Sequence, residues 1–519
     1  MVKVLATLAS SLMTTAGVLT TLTLPPGVTL DSTKLARMVT FGRYVVIVNS
    51  PTRPITVDAD GVVRLLTPHA PQTPITLDNL DGGSLTGTYL AKQSYVVFDA
   101  SRQIIAESPL GPASNSTAIT TDYLRATQIP LSPDTVNATR LYRTTTAGTT
   151  YFPWLDLDGN VQTSVVDDLS DAGLGLIAAP TLGAPPLLTL VGEFRQRLWG
   201  VSTTSVDDLR YTEASRMYAW PDENALPIPR IGSDTRGITG ILARRDALAI
   251  ARVNTLSQIT GESASTFEVV RLSNEVGVEG TDSIAQYRDT MFFLWKDGVY
   301  TWSSNGIDCI SDNKVRNWFT SDDYFNREEF VRAVGRIDPI NKKYQLLLAA
   351  AGGTALNRWV EYDLGDQTWW GPHKTDAFTP TFHTTVYDGD GLVIPVMGST
   401  SGFLWKEQDT RTDDTATPID FDVDSKFHDM QTPDIYKHFG QPSLLSKIQT
   451  AGTLTVTPYV GGLDASAGTA ITADMTLGRE RLPRLGDGNM VKLNFRNTEV
   501  GQKIELFGLE LDFFERGRR

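Results

Sequence analysis

The sequence predicts an all-β fold, and three features of the 519-residue chain support that prediction. Strand-sized runs alternate apolar and polar residues with a period of two. Gly, Asp, Asn or Pro interrupts these runs about every 8–12 residues. Long amphipathic helical periods are almost absent. At about 150 residues per domain, the length is enough for roughly three domains.

Most of the chain repeats one strand pattern, which begins in residues 43–66 as strand, turn, strand, Asp-Gly turn and strand. Units of about 40–50 residues with this pattern are typical of β-propeller blades, which bury their faces by stacking around an axis. We expect a first blade at residues 35–69 and the remaining blades at 183–417, five to seven in all. The alternative is a series of unrelated β-sandwiches. Later units follow at 191–214, 238–262, 283–311, 331–370 and 384–409.

The remaining segments differ in composition. Residues 1–34 form an N-terminal arm that is apolar but rich in Thr and Ser, which favours a strand or loop packed in an assembly over a targeting or membrane segment. Residues 70–182 are rich in Thr, Ser and Pro, and are expected to be a small β-sandwich inserted between blades. The pattern changes again after about residue 418, and strict alternation at 444–462 and 490–519 predicts a C-terminal β domain at 418–519.

Charge and cysteine content limit the possible functions. The chain has 46 Lys and Arg against 60 Asp and Glu, a net charge of −14, which argues against broad attachment to nucleic acid or an anionic membrane. Cys309 is the one cysteine and only five histidines are present, so no internal disulfide is possible and metal ligands are scarce. We expect no cofactor and no metal site.

A glycosidase built on a propeller is the main enzyme alternative. Such enzymes carry Asp boxes with the motif Ser-x-Asp-x-Gly-x-x-Trp, and residues 155–161 and 362–370 match it only in part. In the second segment we expect Asp363 to cap a turn and Trp369 and Trp370 to pack between blades. No nucleophile elbow, phosphate-binding loop or zinc-protease motif occurs. The sequence therefore predicts a protein that is not an enzyme. A sugar-binding platform is an alternative use of the aromatic residues Trp154, Trp220 and Trp302 and of the TWWGPH segment at 368–373.

Several segments carry a resemblance to a known family. Residues 209–228 (LRYTEASRMYAWPDENALPI) contain a strand with Tyr-x-Glu followed by a Trp-Pro turn, and 238–262 and 267–300 continue in the same order. The C-terminus ends in a basic tail, ELDFFERGRR. In this order the chain resembles the tail nozzle (hub, or packaged-DNA stabilisation) proteins of short-tailed bacteriophages over about residues 35–519. Val278 stands where many relatives have Cys, and the first 30 residues match nothing in the family.

The resemblance implies a β-propeller with a fibronectin type III-like module at 70–182. It also implies a structural virion protein located in the phage tail. Such proteins form a ring, usually a homohexamer, below a portal-adaptor ring and beside tail fibres or spikes. The ring continues the DNA channel, retains the genome and opens for ejection, so duplex DNA passes without sequence-specific binding and no membrane is involved. The alternatives are a carbohydrate-binding or glycoside-cleaving propeller, and a minor tail or baseplate protein of a long-tailed phage.

A channel for sliding DNA requires walls that repel phosphate, and paired carboxylates in loops supply that repulsion. The candidate gate loops are 203–208, 222–235 and 410–417, although paired loop carboxylates are also common as simple solvated charge. The basic tail is a candidate docking element for an acidic neighbour, with a frayed, solvated end as the alternative. The candidate channel residues are Asp207, Asp208, Asp222, Glu223, Asp413 and Asp414, and the candidate tail residues are Arg516, Arg518 and Arg519.

Overall fold

The computed structural model is nearly all β, as the sequence predicts. It divides into two compact units, one of residues 1–373 and 380–405 and one of residues 374–379 and 406–519. None of the described helices is long and apolar enough to cross a membrane. The structure describes residues 3–6, 10–13, 19–21, 23–31, 36–49, 52–183, 185–232, 234–375, 378–387, 392–401, 403–407, 413–414, 417–418, 421–499 and 504–517.

The N-terminal arm and the first repeat are both antiparallel meanders. The arm contains β1 (Lys3–Ala6), β2 (Ser10–Met13) and β3 (Leu19–Thr21), paired in that order. Sheet 1 follows, with β4 (Arg37–Phe41), β5 (Tyr44–Val48), β6 (Ile55–Val57) and β7 (Val63–Leu65). The predicted Asp-Gly turn joins β6 to β7, where the amide of Gly61 donates to the carbonyl of Asp58 at 3.1 Å.

Residues 76–167 form a module of two sheets between sheet 1 and the second repeat. One sheet has the order β10-β9-β12-β13 and the other β14-β11-β8, and they share an apolar core around Leu124, Leu141 and Trp154. A short 3₁₀ helix, Asp171–Gly173, follows the module. The strands are β8 (Thr76–Tyr89), β9 (Ala91–Phe98), β10 (Ile104–Glu107), β11 (Thr117–Thr127), β12 (Ala138–Thr144), β13 (Tyr151–Asp158) and β14 (Val165–Asp167).

Five further meanders complete the first unit, and each strand pairs with the next one along the chain. Sheet 2 is β15 (Leu188–Phe194), β16 (Arg197–Ser202), β17 (Asp208–Tyr211) and β18 (Ala225–Pro227). Sheet 3 is β19 (Gly240–Ala243), β20 (Leu248–Ala251), β21 (Leu256–Thr260) and β22 (Glu268–Ser273). Sheet 4 is β23 (Ala285–Tyr287), β24 (Thr290–Trp295), β25 (Gly298–Ser303) and β26 (Gly306–Cys309). Sheet 5 is β27 (Val334–Asp338), β28 (Lys343–Leu348), β29 (Arg358–Asp363) and β30 (Trp369–Lys374), and sheet 6 is β31 (Pro380–Tyr387), β32 (Val393–Ser399) and β33 (Leu404–Lys406).

In sheets 2, 3 and 4 the second strand is apolar on both faces because a neighbouring sheet covers each side. In β20, Leu248 and Ile250 pack toward sheet 2, whereas Ala249 and Ala251 pack toward sheet 4. Side chains alternate between faces along a strand, so one short apolar run serves two cores. At 25 cal/mol per Å² of apolar surface, a fully buried Leu or Ile contributes about 2 kcal/mol.

The first strands of the sheets lie next to one another. Strand β15 contacts β4 and β19, and β27 contacts β23 and β31. A longer connection between sheets 4 and 5 contains the helix α1 (Arg316–Thr320) and a 3₁₀ turn, Arg327–Arg332, and Thr281–Ser283 form another 3₁₀ turn before sheet 4. Phe319, Phe325 and Phe330 from that longer connection fill the core between sheets 4 and 5.

The second unit is a β-sandwich with its own core around Phe439, Leu454 and Val491. One sheet has the order β36-β43-β39-β40, and β42-β37-β45 and β41-β38-β44 face it. The short pair β34 (Asp413–Asp414) and β35 (Thr417–Pro418) precedes them. The other strands are β36 (Phe421–Asp424), β37 (Tyr436–Phe439), β38 (Ser443–Ser446), β39 (Thr453–Gly461), β40 (Ile471–Asp474), β41 (Arg479–Arg481), β42 (Gly486–Gly488), β43 (Met490–Asn497), β44 (Leu506–Glu510) and β45 (Phe513–Gly517).

Candidate functional site

The six-sheet array has two distinct ends. In a four-stranded antiparallel meander the chain reverses direction at every turn. The turn between the second and third strands therefore lies at the same end of the sheet as the connection to the next sheet. The other two turns, between strands one and two and between strands three and four, lie at the opposite end. We call these the connection end and the hairpin end. Contacts between turns of neighbouring sheets agree with this assignment: at the connection end the Trp295 indole donates to the carbonyl of Val253 at 2.7 Å, and Lys296 donates to Asn254 at 2.6 Å.

Asp207, one of the predicted channel carboxylates, lies at the connection end and is bound by two guanidinium groups. Arg230 Nε lies 2.7 and 2.8 Å from its two oxygens, and Arg252 Nη1 lies 2.6 Å from Oδ1. The hydrogen bond from Arg230, followed by that from Arg252, lowers the pKa of Asp207 and keeps the carboxylate charged. This carboxylate is therefore an ion-pair partner within the fold.

Arg252 is the centre of this cluster, because its guanidinium is only 1% exposed. It also donates to the carbonyls of Ile228 and Arg236, in the connection between sheets 2 and 3. A buried guanidinium has to be paired, so the cluster fixes the loop 203–207, the connection 228–239 and the turn 252–255 to one another.

Two neighbouring carboxylates extend the cluster. Asp234 accepts hydrogen bonds from the amide of Asn254 at 3.2 Å and the hydroxyl of Thr255 at 3.0 Å. Arg236 forms an ion pair with Glu279, which precedes sheet 4. Sheets 2, 3 and 4 are thus linked through side chains at the connection end. We call the group Asp207, Arg230, Asp234, Arg236, Arg252 and Glu279 the arginine–carboxylate cluster.

The other predicted channel residues of the first unit lie elsewhere. Asp208 begins β17 and accepts a hydrogen bond from the hydroxyl of Ser205. Asp222 and Glu223 lie in the β17–β18 loop at the hairpin end, where Asp222 is 85% exposed and 3.3 Å from Arg210. The structure therefore places the predicted gate carboxylates at opposite ends of the array, and their assignment to a channel remains a prediction.

The predicted residues of the second unit are described only in part. Asp413 and Asp414 form β34, within the predicted loop 410–417. Arg516 lies on β45 and forms a 3.0 Å ion pair with Asp487, so its guanidinium is anchored within its own sandwich. Arg518 and Arg519 lie outside the described residues. Docking of the tail on a neighbour remains a prediction.

A row of polar side chains crosses sheet 5, and the sequence analysis did not identify it. Arg336, Gln345 and Glu361 are register partners on β27, β28 and β29. Glu361 accepts from Gln345 and from Lys343, each at 2.7 Å. Burial opposes ionisation of Glu361, but His373, Lys343 and Gln345 outweigh it and lower its pKa. The alternation along each strand predicts which residues share a face of that strand. It does not show which residues on neighbouring strands are partners, because those residues are distant in sequence.

Side-chain hydrogen bonds link this row, since Arg336 donates to Gln345 and Gln345 donates to Glu361. Burial lowers the pKa of His373, and the nearby charge of Glu361 opposes that effect. Among the described residues no group of three or more His, Cys, Asp or Glu side chains is placed to hold a metal ion. His438 lies beside Asp487 in the second unit.

The alternative of a sugar-binding platform is not supported for three of its aromatic residues. Trp154, Trp220 and Trp302 are all buried, because each packs into a core between sheets. Trp369 packs against Phe319 and Tyr362 as expected, but Trp370 is 57% exposed and does not pack between sheets. The prediction that Asp363 caps a turn is confirmed, since its carboxylate accepts hydrogen bonds from the amides of Gly365 and Asp366 at 2.8 and 3.0 Å.

Comparison with known proteins gives no family assignment. No family model matches the sequence, and no curated protein matches it. Two solved structures of exo-β-1,3-galactanase variants from Phanerochaete chrysosporium, each with β-1,3-galactotriose, are among the structural matches. The first is 8% identical and covers 92% of this chain and 95% of its own, with a TM-score of 0.20. The second is 9% identical and covers 82% of this chain and 100% of its own, with a TM-score of 0.21.

These matches correct one expectation from the sequence. The chain was expected not to be an enzyme, and that expectation is withdrawn because both matched structures are of a galactanase. The TM-scores are too low to transfer the galactanase activity to this chain.

Proposed function

We propose that this chain is a structural subunit of a phage tail, a nozzle protein whose ring continues the DNA channel and retains the packaged genome. The order of the units along the chain carries the proposal: one meander, a two-sheet module, five further meanders and a C-terminal sandwich. The nozzle family that the sequence resembles has this order, with its inserted module after the first blade.

A β-propeller is the fold we propose for the six meanders. Three features support it: each sheet pairs its strands in chain order, neighbouring sheets share apolar cores, and first strands lie against first strands. This is the arrangement of blades around an axis, where stacking covers both faces of each sheet. We further propose that the module at 76–167 is fibronectin-like, since its two sheets have four and three strands.

In the proposed mechanism, the ring holds DNA by closure and releases it when loops move. The arginine–carboxylate cluster gives the connection end of sheets 2, 3 and 4 a fixed structure. The β17–β18 loop is a better gate element, because Asp222 and Glu223 are exposed and their charges repel phosphate. Opening then leaves the cluster intact.

Gold labelling of particles tests the proposal. An antibody against this chain is applied to intact particles purified from its source, and label is scored by electron microscopy. We expect label on the tail axis, distal to the portal, and none when the antibody is first absorbed with purified chain. Label only on peripheral fibres, or none on particles, would contradict the nozzle assignment.

A carbohydrate-binding or glycoside-cleaving role is the second candidate, and the exposed indole of Trp370 favours it. An exposed aromatic ring offers sugars an apolar face for stacking. Titration with β-1,3-galactotriose, followed by isothermal titration calorimetry, tests binding, and release of galactose from β-1,3-galactan tests cleavage. Binding that Trp370→Ala abolishes while the exposed Phe403→Ala control retains it would support this role.

A further inference from the structure

The turn between the first and second strand of each sheet carries at least one basic residue in the five sheets where the structure describes it, and four of these five turns have a net positive charge. We call these the inner turns, and they lie at the hairpin end, next to the adjacent first strands. Their ranges are 42–43, 195–196, 244–247, 288–289 and 339–342. Their basic residues are Arg43, Arg195, Arg244, Arg245, Arg288 and Lys342, and their acidic residues are Asp246 and Asp289.

The turns between the third and fourth strands, which we call the outer turns, have the opposite charge. Most carry carboxylates, and only the turn at 304–305 is uncharged. Arg216 is a basic exception in these turns. The acidic residues are Asp58, Asp60, Glu213, Asp222, Glu223, Glu262 and Asp366. In the described turns at the hairpin end, most of the positive charge therefore lies in the inner turns and most of the negative charge in the outer turns.

Contacts at the hairpin end show that inner turns face neighbouring sheets in a regular way. Arg195 of sheet 2 forms a 2.8 Å ion pair with Glu262 of sheet 3. Arg244 of sheet 3 lies 4.1 Å from the ring centroid of Trp302 in sheet 4. Burial lowers the pKa of Arg244, and the inner-turn carboxylate of Asp289 partly offsets that effect, which places the two inner turns within electrostatic reach. These two arginines hold the turns in place.

The backbone of the inner turns is unusual for basic residues. Arg195, Arg288 and Lys342 have φ values of 54°, 54° and 50°. Hairpin turns use Gly, Asn or Asp at such positions, because a side chain with a normal β-carbon is disfavoured there. The strain is of order 1 kcal/mol or more for each residue.

Three of these cations are available to a ligand. Arg245, Arg288 and Lys342 are exposed, and the described part of the chain gives none of them an acidic partner within ion-pair distance. Arg43 is also exposed and lies beside Tyr44. The corresponding turn of sheet 6, at 388–391, lies outside the described residues and contains two aspartates.

We propose that the inner turns form a basic collar that binds the phosphodiester backbone of duplex DNA without reading its sequence. Guanidinium and ammonium groups bind phosphate oxygens, and such contacts position a duplex but carry no base information. The duplex as ligand rests on the proposed nozzle function. Acidic outer turns confine the contact to the collar, since they repel phosphate.

The test compares two triple variants with the same net charge. The collar variant is Arg245→Gln, Arg288→Gln and Lys342→Gln. The control variant is Arg327→Gln, Lys426→Gln and Arg484→Gln, which changes exposed cations outside the inner turns. Binding of a labelled 30-base-pair duplex (about three helical turns) is measured by fluorescence anisotropy across a salt series, after circular dichroism confirms that each variant is folded.

Each phosphate contact contributes about −0.9 to the slope of log affinity against log salt, so the collar variant should lose about 2.7 from that slope. Its affinity at low salt should fall about tenfold or more, while the control variant stays close to wild type. No duplex binding by the wild-type chain, or equal loss in both variants, overturns the collar. Gold labelling is independent: axial label without duplex binding refutes only the collar, and collar-dependent binding without axial label refutes only the nozzle.

Discussion

Substitution of Asp207 by Asn tests whether this residue supports the fold, as its contacts indicate. The change removes the charge that pairs with Arg252, whose guanidinium then remains buried with two backbone carbonyl acceptors. Breaking a fully buried pair costs 3–5 kcal/mol. Asp207 is 39% exposed, and water screens part of the interaction, so we expect about 2 kcal/mol.

Hydrogen exchange measured by mass spectrometry reports this change locally. A loss of about 2 kcal/mol corresponds to roughly thirtyfold faster exchange in the segments 203–207, 228–236 and 252–255. Asp222→Asn is the matched control, because it makes the same chemical change in an 85% exposed carboxylate. It should alter the free energy of local opening by less than about 1 kcal/mol. Equal exchange in the two variants would refute the assigned role of the arginine–carboxylate cluster.

Two further substitutions have outcomes that the structure predicts. Glu107 is 2% exposed, and burial raises its pKa despite hydrogen bonds from Tyr142 and Ser94, so the folded state favours the protonated acid. The contribution of Glu107 to stability therefore falls as pH rises from its unfolded pKa near 4.5 through its higher folded pKa. The Glu107→Gln variant should melt at a higher temperature than wild type at pH 8 but not at pH 4. An equal difference in melting temperature at both pH values would contradict this. Trp199 is fully buried, and its ring centroid lies 4.5 Å from that of Tyr211, on which it stacks. Chemical denaturation should show that Trp199→Ala lowers the free energy of unfolding by about 3–5 kcal/mol, and that substitution of the exposed Trp370 by Ala lowers it by less than about 1 kcal/mol. Similar losses in the two variants would contradict the assigned packing of Trp199.

The strand pattern was predictable from the sequence because it depends on neighbouring residues. Alternation and the Asp-Gly turn in residues 43–66 correctly predicted β5, β6 and β7. The connection between sheets 4 and 5 was not predicted, since Phe319 and Phe330 come from short helical turns that are stable only against a neighbouring sheet.

Exposure and pairing were much less predictable, because they depend on residues far apart in the chain. Trp154 and Trp220 were candidates for an exposed platform. The second sheet of the inserted module covers Trp154, and sheet 1 covers Trp220. Asp207 and Asp222 looked alike as loop carboxylates. The difference between them is Arg252, which comes into contact with Asp207 only when sheets 2 and 3 pack together.

The position of the inserted module also affects how the chain is made. Sheet 1 packs against β15, and residues 66–187 are synthesised between them. At 5–20 residues per second, the ribosome needs on the order of ten seconds to deliver β15. During that time Val46 and Val48 have no partner sheet, whereas the module has its own core and can fold as it emerges. An early subunit therefore exposes an apolar face of sheet 1 until β15 is synthesised.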